Sequence, residues 1–430
     1  MTAGGDIFSR MRRGTVEAFV LHAAGMGLLL LMQVYLGHTL GKAGYGAFIY
    51  ALALAGVLAI LVPLGWPTAL MRFIAQYTEE GRFGLLRGAV NTAYAVTFVS
   101  TAVVSLALLA LSFWDAVPGR LHVSLRYAAL LLLFLAFVGL RRKALQALGR
   151  VRGSLVPEEI VLPVLVVSGV YLLGVSTPQG ALLVYCAAAL AAFVLGGIWL
   201  WRAMPQGVRA AKPEYERRAW MAVALPMMFG GLSQIAINRT DVLVLGALAN
   251  LEAVGLYGAA ARIAAVNVFV LGAVNQLAAP MMARAFHGGR TRQVGAVLRR
   301  AMLWSALGSL PLFLAIVLFP GTLIGLAFGP EFVGSADLLR ILALGQFVNA
   351  ATGPVGFALL MTGRERAFAA TTAAVAVATV AGSLLAVPAF GAVGAAVVTA
   401  ASVATLNLSQ LLLVLRRGFE PATTAAGGEG

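Results

Sequence analysis

Apolar runs of bilayer length recur about a dozen times along this chain, and no other feature restricts its fold so far, because one span takes roughly 20 apolar residues. The runs lie near residues 17–36, 47–70, 89–112, 122–140, 157–175, 180–201, 219–247, 253–283, 300–326, 337–361, 367–388 and 392–415. Composition agrees. Apolar residues make up 61% and charged residues 11% of the chain, with a mean hydropathy of +0.92. Soluble domains sit nearer 45–50% and about 25%. The expected class is an all-α integral membrane protein of about twelve transmembrane helices.

The runs are organised by a repeat. Tyr45-Gly46, Pro67, Arg72 and Gly149-Arg150 recur as Tyr257-Gly258, Pro280, Arg284 and Gly363-Arg364, at offsets of about 212 to 214 residues. These landmarks place six runs in each half and put the join in the charged, proline-bearing stretch Arg202 to Arg218. An even number of spans per half makes the halves parallel in the membrane. The chain is therefore read as two parallel six-helix lobes around a central cavity, residues 1–210 and 211–420, followed by a small, polar, disordered tail at 421–430. Repeated hydrophobic halves point to a transporter.

Basic residues set the orientation, since cytoplasmic loops retain Lys and Arg during insertion. Of the 31 Lys and Arg, about 25 fall at the N-terminus, in alternate loops and at the C-terminus. Lys42, Arg120, Arg126 and Arg340 fall on the other side, and Arg239 and Arg262 fall within runs. Both termini are expected to be cytoplasmic. The net charge of +15 is spread over short segments that topology already explains, and no basic patch interleaves with aromatics, which argues against a nucleic-acid partner. Those basic segments face anionic membrane lipids on the cytoplasmic leaflet. Arg10 to Arg13 before an apolar run resembles a signal peptide, but the run is too long and is interrupted at Glu17 and His22; an uncleaved first span is expected.

The chemistry motifs are mostly missing. Gly41-Lys42-Ala43 lacks the glycine spacing and the following Ser or Thr of a phosphate loop. The four His are scattered, no metal or cofactor site is legible, and no external loop is long enough for a catalytic domain. The lone Cys186 excludes an intrachain disulfide. An enzyme such as a polymerase or ligase is not expected.

What remains is polarity inside the membrane, which is costly enough to mark function by default. Gln234, Asn238 and Asp241 stand at i, i+4 and i+7 on one helix face, with Arg239 projecting away from it. Arg239, Asp241 and Arg262 all lie about 12 to 15 Å below the external surface, near the midplane. Two readings stay open. In one, Asp241 and Arg262 form a structural ion pair that locks two helices. In the other, Arg262 is a cavity cation for a substrate anion, positioned or gated by Asp241. Asn267, with Gln33, Asn275, Gln276, Gln346, Asn349, Asn407 and Gln410, can line a cavity or simply bond between helices. Arg72 and Arg284, related by the repeat, sit at the cytoplasmic mouth, where topology or an anionic headgroup explains them.

Several stretches together carry a family resemblance: Leu36-Gly37 through Gly44-Tyr45-Gly46, Gly65, and Met71-Arg72; Asp241 through Gly255-Leu256-Tyr257, Ala260-Ala261-Arg262 and Pro280; Gly329-Pro330-Glu331-Phe332; and Gly391 through Ala396. In order and spacing the chain resembles the polysaccharide transporter branch of the multidrug/oligosaccharidyl-lipid/polysaccharide exporter superfamily. The resemblance implies a flippase that carries undecaprenyl-diphosphate-linked oligosaccharide from the cytoplasmic to the external leaflet of a bacterial inner membrane, by alternating access. It also implies a polysaccharide polymerase and glycosyltransferases as further partners. Arg262 matches its cavity cation and Asp241 its acidic position. Ala43, where an acidic residue is frequent, and the lack of an extra pair of spans argue against the lipid II branch. The alternative is a cation-coupled multidrug exporter of the same superfamily, with Asp241 as the ion site. Aligned by the repeat, Asp241 and Arg262 map near Leu29 and Tyr50, so the proposed site belongs to the second half.

Overall fold

The computed structural model describes residues 3–417; the side chains of 3–16, 18, 229, 230, 234 and 417 are outside the description, as are residues 418–430 with the expected tail. The chain divides into two compact units, Met1–Leu232 and Ser233–Gly430.

In the first unit the elements run α1 (Ala3–Leu61), α2 (Trp66–Glu79), α3 (Phe83–Leu111), α4 (Gly119–Ala147) and α5 (Val151–Val156). A π-helical turn (Pro157–Val161), α6 (Leu162–Leu172), α7 (Pro178–Ala203) and the short α8 (Gln206–Ala210) follow. The helix α9 (Arg217–Leu248) begins in this unit and ends in the second. The second unit continues with α10 (Leu251–Val266), α11 (Phe269–His287), α12 (Thr291–Leu318) and α13 (Pro320–Phe328). It closes with a 3₁₀ turn (Pro330–Ser335), α14 (Ala336–Thr352), α15 (Val355–Met361) and α16 (Glu365–Arg417). No strand occurs among the described residues, and the protein is an all-α, multi-pass membrane protein.

Eight helices among the described residues are long and apolar enough to cross a bilayer, or ten if each of two bent pairs counts as one span. The expected dozen differs from this count for a backbone reason. The helices α1 and α16 each carry two apolar runs, joined at glycines with non-helical backbone, Gly41 (φ 65) and Gly391 (φ 55). A left-handed φ costs glycine little, so the chain breaks direction there without a long loop.

The repeat has a physical basis in how helices end. Gly149 (φ 68) closes α4 with Arg150 N donating to Leu145 O at 2.8 Å, and Gly363 (φ 72) closes α15 with Arg364 N donating to Leu359 O at 2.9 Å. Both are six-to-one closures that satisfy orphan carbonyls. The same device recurs at Gly81-Arg82 and Gly289-Arg290. Each Gly-Arg landmark is thus a helix stop followed by a cation.

Packing differs in detail between the units. In the first, Trp66, Phe73, Tyr77 and Trp220 form an aromatic core, with Trp220 Nε1 donating to Tyr77 Oη at 3.0 Å. The stretch before α9 is bound to this unit: Glu214 N donates to Gly84 O at 3.0 Å, and Arg87 Nη1 donates to Arg209 O and Ala211 O at 2.9 and 2.7 Å. Gly88 has no side chain because the Glu214 backbone occupies that space. The repeat join therefore lies inside the first compact unit. In the second, Gly345 lets α14 and α16 approach until an added Cβ would meet Ala400 Cα at 2.6 Å. Small residues at such crossings favour close helix packing in lipid. Large apolar side chains such as Leu172, Leu326 and Leu385 are more than three-quarters exposed, as a surface solvated by lipid tails requires.

Candidate functional site

Three elements of the second unit build the polar centre expected near Asp241. Asp241, on α9, is buried at 6% exposure. Its Oδ1 accepts from its neighbour Val242 N at 2.7 Å, and its Oδ2 accepts from Tyr257 Oη on α10. Thr399 Oγ1 on α16 donates to the same oxygen at 3.4 Å and lies 3.1 Å from Tyr257 Oη. A buried carboxylate without such donors is strongly unfavourable in a low-dielectric slab, so Tyr257 and Thr399 account for its presence.

That network bears on the ion-pair reading of Asp241. Among the described residues no ion pair joins Asp241 to Arg262, so the structural-lock reading does not hold; hydroxyl donors have taken the cation's place. Arg262 is half-buried on α10, with no hydrogen bond or ion pair among the described residues. Arg239, two residues before Asp241 on α9, is exposed.

The polar face of α9 divides. The side chain of Gln234 is outside the description. Asn238 turns to a cavity of about 220 Å³ contained within the second unit. Asn275 on α11, Asn349 on α14 and Asn407 and Gln410 on α16 share that lining, together with Thr372. Phe357 and Phe368 add aromatic surface. No Asp, Glu, Lys, Arg or His lines it. Gly353 (φ 65) and Pro354, which separate α14 from α15, form part of the wall.

The remaining candidates scatter. Asn267, at the end of α10, is 1% exposed and outside the cavity, with neither side-chain polar atom hydrogen-bonded among the described residues. Its backbone carbonyl accepts from Ser309 Oγ at 2.9 Å. Arg72 on α2 and Arg284 on α11 are exposed, each in its own unit. Gln346 accepts from Asn349 Nδ2 at 3.3 Å, and Gln276 is half-buried. Gln33 is buried and accepts from Tyr45 Oη at 2.9 Å. The two Tyr-Gly landmarks therefore do the same job with different partners: Tyr45 serves a neutral carboxamide, Tyr257 a carboxylate.

A second charged cluster, in the first unit, was not legible from sequence. Arg141, 1% exposed on α4, pairs with Glu158 and donates to Ala192 O at 2.7 Å. Arg142 pairs with Glu159 at 2.7 Å, and His22 Nδ1 lies 2.8 Å from the other oxygen of Glu159. Glycines make the room: an added Cβ on Gly196 would fall on the Arg141 guanidinium, and one on Gly25 would meet Glu159 Cβ at 2.6 Å. Arg141 belongs to α4, which continues to Ala147, and not to a loop. The signal available was the adjacency of Arg141-Arg142 and Glu158-Glu159, two charge doublets flanking one turn.

The backbone and site together describe a membrane transporter fold. Its likeness to solved structures is broad. One is the lipid II flippase MurJ in an inward closed conformation (TM-score 0.74, 11% identity, covering 94% of this chain and 87% of that one). Another is an inward-facing multidrug resistance MATE family transporter of the MOP superfamily (0.69, 15%, 93% and 98%). A third is a MOP superfamily transporter from Pyrococcus furiosus whose binding pocket is described as having reverse polarity (0.60, 15%, 94% and 95%). Residues 11–286 match the family described as polysaccharide biosynthesis protein, and the chain belongs to that family. It is also 23% identical over 396 residues to a probable low-salt glycan biosynthesis flippase, Agl15, of Haloferax volcanii, covering 92% of this chain and 81% of the relative.

Proposed function

We propose that the protein is a flippase for a lipid-linked oligosaccharide, carrying undecaprenyl-diphosphate-linked glycan from the cytoplasmic to the external leaflet with both termini cytoplasmic. Membership of the polysaccharide biosynthesis family and the similarity to a glycan flippase support the substrate class. The observation that carries the reading is Arg262. It is a half-buried cation within the membrane-spanning part of α10, and Asp241, the acid the sequence offers as its partner, is instead held by Tyr257 and Thr399. An uncompensated guanidinium in a dry slab favours an anionic partner, and a diphosphate provides one with matching hydrogen-bond geometry.

Arg72 and Arg284 are the entry cations on the cytoplasmic side, while Arg239, Asn238, Gln234 and Asn267 extend the binding region around Asp241 and Arg262. Movement is alternating access by rocking of the repeats, residues 1–210 against 211–420. Glycosyltransferases supply the substrate and a polymerase consumes it. A cation-coupled multidrug exporter is the second reading, and the buried Asp241 is the observation in its favour. An Arg262→Gln variant tests the proposal in a host whose surface polysaccharide depends on this gene. Export should fall at least tenfold at equal protein abundance. Wild-type export would remove the anion-site role.

A further inference from the structure

The cavity of the second unit is chemically unlike the charged residues beside it. Five carboxamides and a threonine hydroxyl converge on about 220 Å³, with no ionisable side chain among them. Four of the carboxamides, Asn275, Asn349, Asn407 and Gln410, keep hydrogen-bonding capacity unspent among the described residues. Asn407 Nδ2 donates to Val403 O at 2.9 Å, Gln410 Nε2 to Thr371 Oγ1 at 3.3 Å and Asn349 Nδ2 to Gln346 Oε1. The carbonyl oxygens of those three side chains accept nothing among the described residues, and the buried Asn275 Oδ1 is likewise unpartnered. Unsatisfied polar groups in a membrane interior cost free energy unless water or a ligand completes them. The partner they ask for brings several hydrogen-bond donors on a small, uncharged frame.

Size narrows the class. Drug-sized pockets run from about 300 to 1,000 Å³, so this one holds a smaller body. Phe357 and Phe368 offer apolar faces beside the carboxamides, an arrangement that suits a ring with polar edges and C–H faces. Position agrees with a loading role. Thr372 lies six residues from Arg366 and Gln410 six from Arg416, so these two lining residues sit about 9 Å along α16 from its basic residues, at 1.5 Å rise per residue.

We infer that this cavity is a subsite for one neutral sugar unit of the substrate, distinct from the anion site at Arg262, and that it selects uncharged, hydroxyl- or acetamido-bearing residues over uronic acids and organic cations. The inference rests on the flippase reading and deepens it. A carboxylate-bearing sugar would enter without a cation to meet it, and an organic cation without an anion. Both would lose hydration without a counter-ion to offset it.

The test uses the full chain in lipid nanodiscs, with N-acetylglucosamine, glucuronic acid and tetraphenylphosphonium as probes in saturation-transfer NMR. N-acetylglucosamine should bind saturably, glucuronic acid at least tenfold more weakly, and tetraphenylphosphonium should not displace the sugar. Asn407→Leu and Asn275→Leu, which keep the branched outline but remove the polar atoms, should each weaken sugar binding at least tenfold, while Asn407→Gln retains most of it. Equal sugar binding by both leucine variants, preferential uronic acid binding, or displacement by tetraphenylphosphonium would each overturn the subsite. The flippase reading fails separately: a wild-type protein that binds the neutral sugar here yet does not restore surface polysaccharide would sink that reading and leave the subsite standing.

Discussion

Removing one oxygen atom from Tyr257 tests how the membrane interior tolerates Asp241. Tyr45 and Tyr257 are related by the repeat and buried alike, at 0% and 1% exposure, so Phe substitutions keep the ring contacts at both and remove only the hydroxyl. Their hydroxyls differ in acceptor. Tyr45 donates to the neutral Gln33, whereas Tyr257 donates to Asp241, which keeps only Val242 N and a long contact from Thr399 when the phenol is gone. A hydrogen bond to a charged group is worth about 1.5–3 kcal/mol and a neutral one about 0.5–1.5. Tyr257→Phe should therefore destabilise by about 1 kcal/mol more than Tyr45→Phe, roughly a fivefold difference in the unfolding equilibrium. Reversible unfolding in mixed micelles, read by tryptophan fluorescence, measures both. A double-mutant cycle with Asp241→Asn should return a coupling of about 1.5 kcal/mol or more. Equal costs for the two Phe variants, or a coupling below about 0.5 kcal/mol, would refute the assignment of Tyr257 as the group that makes a buried carboxylate tolerable.

Further outcomes follow from glycines and ion pairs. Gly196→Ala should cost about 3–5 kcal/mol in the same unfolding assay by displacing Arg141 from Glu158. Gly197→Ala, with nothing near its Cβ, should be neutral or stabilising by about 0.5–1 kcal/mol. Gly88→Ala should push the Glu214 backbone off α3 and speed tryptic cleavage at Arg209, with Gly197→Ala leaving cleavage unchanged. Glu159→Gln should weaken the contacts to both Arg142 and His22 and cost about 1.5–3 kcal/mol.

Much of the architecture was legible because it is written locally. Apolar run lengths, the Gly-Arg helix stops and the spacing of basic residues each depend on a few consecutive positions. Helix count was less legible, since Gly41 and Gly391 join two runs into one continuous element where a loop was expected. The site was legible by residue type and not by partner. Asn275, Asn349, Asn407 and Gln410 stood out as carboxamides inside apolar runs, yet only packing brings α11, α14 and α16 to one cavity. Asp241 was singled out, but its partner Thr399 lies 158 residues away and no periodicity encodes that pairing. The same holds for His22 and Glu159, 137 residues apart.

The central claim is that Arg262 serves the anion of a lipid-linked glycan. Purified protein in proteoliposomes carrying a fluorescent undecaprenyl-diphosphate oligosaccharide tests it most directly, with membrane-impermeant quenching reporting how much substrate reaches the opposite leaflet. Wild-type protein should equilibrate the substrate across leaflets, and Arg262→Gln should slow this at least tenfold. Equal rates for the two proteins, or no glycolipid movement alongside efflux of tetraphenylphosphonium down a cation gradient, would contradict it.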